Sequence, residues 1–308
     1  MSRNRMILVA TDFSSQARLA AERGAVLAQA SGSTLTLMHV LPGGLLAELR
    51  IWLGGGHAPE QALHVDVRQR LQALAQELGT AYRVEARTVH TVGVAVDDLL
   101  IEASTLDASL VVVGAHGTGF LRHLVLGGTA ERLVRRTRSP VLIARRAAMD
   151  SHHRALVALD FSPWSAQALI IARSVAPQAH LILFNAFQAQ FEDRLHRAGL
   201  EPAVIERHRK RAEADARTRV DAMARRAGLA EGSWRICVVE GEPDRCILEQ
   251  AREHRCDLVV LGKHGNSVAE ELLLGSVTRH VLARCTTDVL VSTQREPPAE
   301  DSGAIDPR

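Results

Sequence analysis

Aromatic side chains are scarce in this chain: six Phe, three Trp and one Tyr make up 3% of 308 residues. Any core must then be filled mainly by Ala, Leu, Val and Ile, a composition suited to closely packed parallel strands and helices. A dominant charge is missing too. The 37 basic and 35 acidic residues leave a formal net charge of +2, too little to draw nucleic acid or an anionic membrane. The four cysteines, Cys237, Cys246, Cys256 and Cys285, all fall in the second half and show no C-x-x-C spacing. This argues against a disulfide framework or a zinc site and leaves buried reduced thiols. The amino terminus, MSRNRMILVATDFSS, turns polar after five apolar residues, Met6 to Ala10. That run is too short for a signal-peptide core or a membrane span, so the expectation is a cytoplasmic protein with no nucleic-acid or membrane partner.

The length is about twice that of a common single domain, and the chain matches itself. With a shift of 148, Asp12 falls on Asp160, Ser14 on Ser162, Gly93 on Gly241, Gly114 on Gly262, Gly117 on Gly265 and Gly127 on Gly275. Between these anchors the register slips by two, since TLTLMHV (34–40) matches HLILFNA (180–186); loops absorb such insertions at little cost. Each copy alternates apolar runs with helical patterns. Strands are predicted at 6–10, 34–40, 83–89, 110–114 and 141–144, then at ALVAL, HLILFNA, WRICVV, LVVLG and VLVS. Helices are predicted near 15–30, 61–78, 94–106 and 129–137, with counterparts near 163–175, 202–227, 242–254 and 277–285. This β-α-β-α alternation implies α/β domains with parallel, right-handed, doubly wound sheets. The domains are placed at 1–147 and 152–295, with a Pro-rich, charged and disordered tail over 296–308. The short link from Arg146 to His153 holds neither Gly nor Pro and predicts an intramolecular pseudo-dimer. A Gly-flanked excursion from Leu41 to Glu60, carrying Trp52 and Leu53, reads as a loop.

The chemistry-bearing segment begins where each fourth strand ends, as GAHGTGFLRHLVLGGTAERLV and as GKHGNSVAEELLLGSVTRHVL. Both read G-x-H-G, nine residues, then Gly. After a buried strand, such glycines suggest a backbone that turns with positive φ and approaches a ligand closely. The last Gly opens a helix whose unpaired N–H groups and positive dipole end suit an anion. It is not a Walker A loop, lacking G-K-[ST], nor G-x-G-x-x-G, because Arg122 stands where the third Gly after Gly117 and Gly119 would be. The opposite wall should come from the end of the first strand, where Asp12 and Asp160 lie. A carboxylate there can accept from an adenine amino group or a ribose hydroxyl. It can also support a turn in which Ser14 or Ser162 caps the next helix.

The G-x-x-G-x9-G-[ST] segment, the strand-end Asp, and the frame D-L-V-V-L-G followed by G-S-V-T-R-H-V-L resemble the universal stress proteins in their tandem two-domain form. The resemblance runs from Arg5 to Thr293. It implies two Rossmann-like domains of the adenine nucleotide alpha hydrolase type, each a five-stranded parallel sheet of order 3-2-1-4-5 with helices on both faces. It also implies ATP, or AMP or ADP, as ligand, with Mg²⁺ as a companion of ATP. In the second copy it assigns Asp160 to the adenosine, Gly262 and Gly265 to the ribose-phosphate region, and Gly275, Ser276 and Val277 to the phosphates, with Ala158, Ala186 and His264 as further cofactor-binding candidates. In the first copy the corresponding residues are Ala10, Asp12 and Val40, then Gly114, His116 and Gly117, then Gly127, Gly128 and Thr129. Gly128 occupies the Ser/Thr position, which makes the second copy the better site. Ala186 in turn departs from the apolar Val40.

Other features have simpler readings. His116 and His264 line the cleft or donate to phosphate. Lys263, Ala115 in the first copy, is a modest phosphate candidate or plain surface charge. His152 and His153 belong to a solvated linker, and His208-Arg209-Lys210-Arg211 to a solvated helix face balanced by Glu206, Glu213 and Asp215. No catalytic triad, paired carboxylate or Mg²⁺ motif is evident. The expected role is therefore a nucleotide-binding stress-response sensor or regulator without dedicated catalysis. The alternatives are a slow ATPase, or a phosphotransferase autophosphorylating near Ser276 or Ser267, and a nucleotide-free dimerisation scaffold, including a homodimer.

Overall fold

The structure, a computed structural model, describes residues 5–44, 46, 58–117, 126–148, 150–187, 201–265 and 273–294. Trp52, Leu53, Gly119, Arg122, Ser267 and the tail over 296–308 lie outside the described residues. The first half runs β1 (Met6–Ala10), α1 (Ser15–Ser31), β2 (Thr34–Pro42), α2 (Ala58–Tyr82), β3 (Ala86–Gly93), α3 (Ala95–Thr105), β4 (Leu110–Gly114), α4 (Gly128–Arg136) and β5 (Val141–Ala144). The second repeats it as β6 (Arg154–Ala158), α5 (Pro163–Val175), β7 (His180–Phe187), α6 (Pro202–Arg226), β8 (Trp234–Glu240), α7 (Pro243–Glu253), β9 (Leu258–Gly262), α8 (Ser276–Arg284) and β10 (Asp288–Ser292). Local chemistry sets several boundaries. The Ser14 and Ser162 hydroxyls cap α1 and α5, Pro163 fixes the first turn of α5, and Gly32, at φ 66°, closes α1.

Each half is a parallel sheet of order 3-2-1-4-5, and the two join edge to edge into one ten-stranded sheet, β3-β2-β1-β4-β5-β10-β9-β6-β7-β8. The β5–β10 pair is antiparallel, with Val289 opposite Ile143 and Val291 opposite Val141. The apolar strand runs serve both faces. Ile7, Val9, Leu35, Leu37, Val157 and Leu290 sit in the core layer under one set of helices, whereas Leu8, Met38, Val111, Leu156 and Val289 sit in the layer on the other face. This is the period-two alternation of a strand buried on both sides. One predicted strand is displaced. The run 83–89 becomes a strand only from Ala86, because Arg83 adopts φ 54° and the Val84 N–H returns to the Gly79 carbonyl at 3.2 Å, ending α2 in place of starting β3.

The join is polar at its centre. Asp288, fully buried at the start of β10, receives the Arg145 N–H at 2.8 Å on Oδ1. Its Oδ2 lies 2.8 Å from Nε of Arg23 on α1 and 3.0 Å from Nε2 of His152. His152 therefore departs from its reading as a solvated linker residue: it is buried, because Asp288 needs a partner that water cannot supply. His153 is exposed and pairs with Asp150 at 2.7 Å. The Lys263 ammonium and the Thr293 hydroxyl, from the second half, donate to the carbonyls of Arg135 and Arg138 in the first. Lys263 is thus a junction residue, which corrects its reading as a phosphate partner. Burial pushes the Asp288 carboxyl up, but the His152 hydrogen bond, the Arg23 charge and the Arg145 amide outweigh it and hold the carboxyl below its usual range.

A carboxyl held below its unfolded value of about 3.9 stabilises fully above that pH and ceases to do so as pH falls through the folded value. Asp288→Asn, which leaves Arg23 buried without its counter-charge, is expected to cost about 3–5 kcal/mol at neutral pH. In urea unfolding the difference from wild type should shrink on acidification below pH ~4; a difference unchanged across that range would contradict this assignment.

Candidate functional site

The first wall of each site is the turn from the first strand into the first helix. After Ala10, Asp12 accepts the Ser14 N–H at 3.0 Å through Oδ1, and Ser14 accepts the Ala17 N–H at 3.1 Å. The second half repeats this: Asp160 Oδ1 takes the Ser162 N–H at 3.0 Å and the Ser162 hydroxyl at 2.6 Å, and Ser162 takes the Ser165 N–H at 3.2 Å. Each carboxylate thus supports the capping turn. Phe13 and Phe161, between the Asp and the Ser, adopt φ 61° and 65°, a backbone conformation costly for a side chain of that size. Guanidinium groups hold both rings, Arg70 over Phe13 at 4.0 Å and Arg219 over Phe161 at 3.7 Å.

The cradle glycines supply space rather than unusual dihedrals. None of Gly114, Gly117, Gly127, Gly262, Gly265 and Gly275 has positive φ, which corrects the expectation drawn from their spacing. A Cβ on Gly114 would sit 2.8 Å from the backbone of Gln16, and one on Gly262 2.9 Å from Trp164 Cβ. A Cβ on Gly117 or Gly265 would meet Asp12 Oδ2 at 2.8 Å or Asp160 Oδ2 at 2.7 Å. Each glycine of the first kind lets the fourth strand pass close under the first helix. Each of the second lets the loop lie against the strand-end carboxylate.

These elements enclose two cavities. One, of about 340 Å³, is lined by Ala10, Asp12, Val40, Gly114, His116, Gly117, Gly127, Gly128 and Thr129. The other, of about 320 Å³, is lined by Ala158, Asp160, Ala186, Gly262, His264, Gly265, Gly275, Ser276 and Val277. The structure therefore brings all the expected residues of each copy to one place. The carboxylate stands at the strand-end wall, and the first turn of α4 or α8 stands at the other. Gly127 and Gly275 open those helices without any side-chain cap, so the first N–H groups face a ligand-sized space. His264 is buried with its ring edge-on to Trp164 at 4.6 Å.

Several lining residues have no sequence signal. Ala95 and Leu99 of α3, and Pro243 and Ile247 of α7, close the sides; on sequence they are indistinguishable from core residues of amphipathic helices. Thr278 lines the second cavity and donates to the Gly262 carbonyl at 2.8 Å. His39 Nδ1 bonds the Thr11 carbonyl at 2.7 Å, and Asn185 Nδ2 bonds the Leu159 carbonyl at the same distance. Two different residues thus fix the floor of the two sites by the same contact; only the offset of two in the repeat could have aligned them. Among the described residues no group of three or more His, Cys, Asp or Glu could hold a metal ion, and no helix is long and apolar enough to cross a membrane.

The family model described as the universal stress protein family matches residues 3–145 and 152–293. A universal stress protein of Mycolicibacterium smegmatis is 29% identical over 304 residues, covering 94% of this chain and 97% of the relative. One of Thermus aquaticus is 30% identical over 139 residues, 44% of this chain and 95% of the relative. The crystal structure of a universal stress protein from Archaeoglobus fulgidus superposes with a TM-score of 0.71 at 18% identity, over 96% of this chain and all of that one, a likeness of fold.

Gly262→Ala, which forces a methyl against Trp164 beneath α5, should destabilise by about 1–3 kcal/mol. Gly128→Ser, whose added Cβ meets only Arg132 Nη2 at 3.8 Å, should change stability by no more than about 0.5 kcal/mol. Thermal unfolding of the two variants checks this, and equal losses would contradict the close-approach account.

Proposed function

The chain belongs to the universal stress protein family, and on that premise we propose that its two cavities bind ATP or a related adenine nucleotide. The observation that carries this reading is the pairing, within one cavity, of a strand-end carboxylate with an uncapped helix amino terminus. Asp160 suits an adenine amino group or ribose hydroxyl, to which it can only accept. The N–H groups at Ser276 and Val277 suit phosphate oxygens, to which they can only donate. The two chemistries lie at opposite walls, so the nucleotide has one orientation, with its anionic end away from the carboxylate. Apolar side walls such as Leu261 and Ile247 exclude water from the base. Asp12, with the N–H groups at Gly128 and Thr129, does the same in the first half.

The second half is the stronger site in this reading, because Ser276 adds a hydroxyl where the first half has Gly128. A bound nucleotide would tie the strand-end turn to the fourth-strand loop, and so bias the conformation of the surrounding helices. Such occupancy-dependent conformation is the action proposed for a cytoplasmic stress-response regulator without dedicated catalysis, and Mg²⁺ would accompany the phosphates of ATP.

Titration of the full chain with ATP should reveal saturable binding with a tighter and a weaker phase. Gly275→Val should remove the tighter phase. Ser276→Gly should weaken it by about three- to tenfold, the worth of one hydrogen bond, and Gly128→Ser should strengthen the weaker phase by a similar factor. Absence of saturable binding to the wild type would overturn the reading.

A further inference from the structure

A third cavity, of about 440 Å³, lies at the amino ends of β9 and β10, the edge of the second half opposite its nucleotide cavity. Three arginines, all exposed, line it. Arg252 and Arg255 come from the end of α7 and the residues after it, and Arg146 from the link just beyond β5. Thr286 and Thr287, in the turn before β10, complete the wall, with the Thr287 hydroxyl 3.2 Å from Cys285 Sγ. Among the described residues no carboxylate lines this space. The acidic groups nearby are engaged elsewhere: Asp288 with Arg23 and His152, Asp257 with the backbone N–H groups of His153 and Arg154, and Glu253 with Gln250. None of the three arginines makes an ion pair among the described residues, whereas Arg209, Arg217 and Arg225 of α6 each have a carboxylate within reach.

Two simpler roles for these arginines fail on geometry. Arginines at a helix carboxyl end commonly donate to the last-turn carbonyls. Here the carbonyls of Gln250 and Arg252 take the backbone N–H groups of His254 and Arg255, and neither arginine side chain donates to them. Nor does the repeat require positive charge at these places. With the shift of 148, Arg252 falls on Ser104, Arg255 on Asp107, and Arg146 on Gln294. The first half therefore has the same strand edge with the charge removed or reversed. A feature the fold does not need, built from two separate segments around one space, has the character of a binding site.

We propose that this cleft binds a small polyanion of the phosphate or pyrophosphate class, held by the fork geometry of Arg146, Arg252 and Arg255 and by the Thr286 and Thr287 hydroxyls. The site is independent of the nucleotide cavities. It adjoins the junction, since the Arg146 N–H lies 3.3 Å from Asp288 Oδ1, so an occupant bears on the segment joining the halves.

The test is calorimetric titration of the full chain with inorganic pyrophosphate at low salt. The comparison is with Arg252→Ser/Arg255→Asp, which installs the residues of the first half, with Arg255→Gln alone, and with Gly275→Val. The expected result is saturable binding that persists in Gly275→Val, weakens about tenfold in Arg255→Gln and is lost in the double variant, with thermal unfolding of the arginine variants close to wild type. Wild-type protein that does not bind pyrophosphate, or binding equal in the double variant, overturns the proposal. Loss in Gly275→Val with retention in the arginine variants assigns the anion to the nucleotide cavity and overturns it as well. Failure of ATP to bind would count against the nucleotide reading alone.

Discussion

Strands β5 and β10 pair antiparallel, whereas every other pairing in the ten-stranded sheet is parallel. Because ligand sites in such sheets form beyond the carboxyl ends of the strands, this one reversal puts the two strand-end cavities at opposite edges. It also puts the end of β5 beside the beginning of β10, so that Arg145 and Arg146 of the first half reach Asp288 and the cleft lined by Thr286 and Thr287. The pairing is short, only three residue pairs long. The buried Asp288, with Arg23 and His152, supplements it with a contact that is specific rather than merely adhesive. A charge buried so completely is tolerated only where its partners are complete, which ties α1, the link and β10 into one arrangement.

Within each half the same economy of space recurs. Gly114 and Gly262 let the fourth strand pass under the first helix, and Gly117 and Gly265 let the following loop reach the strand-end carboxylate. The strain lies not at these glycines but at Phe13 and Phe161, whose left-handed backbone follows directly on Asp12 and Asp160. Backbone strain held in place by packing is common where a site must be rigid before its ligand arrives. Here the stacked Arg70 and Arg219 supply the packing.

The architecture was largely legible in the sequence, because strands such as LVVVG and LVVLG are unbroken apolar runs and the glycine spacing is duplicated. The strand order came with the family resemblance. The fusion of two sheets into one was not legible: nothing in VLIA or DVLVS distinguishes an edge strand facing solvent from one facing its own repeat. The lining residues were legible where they carried a motif and hidden where they looked like core, as with Leu99 and Ile247. The misreadings at the junction and the cradle have two causes. His152 and Lys263 are polar residues whose partners lie more than a hundred positions away. The cradle glycines were assigned a dihedral role because spacing reveals where a glycine is needed but not whether the need is for φ or for room. The repeat also conceals differences: His39 and Asn185 make the same contact with unlike groups, while Arg255 and Asp107 hold like positions with opposite charge.

The most direct test of the central claim, that the paired carboxylate and helix-terminus cavities hold an adenine nucleotide, is native mass spectrometry of the gently purified full chain before and after addition of ATP. The expected result is adducts of one and then two adenine nucleotides, with the first retained from the cell or acquired at low ATP. A chain that keeps its unliganded mass at saturating ATP would contradict it.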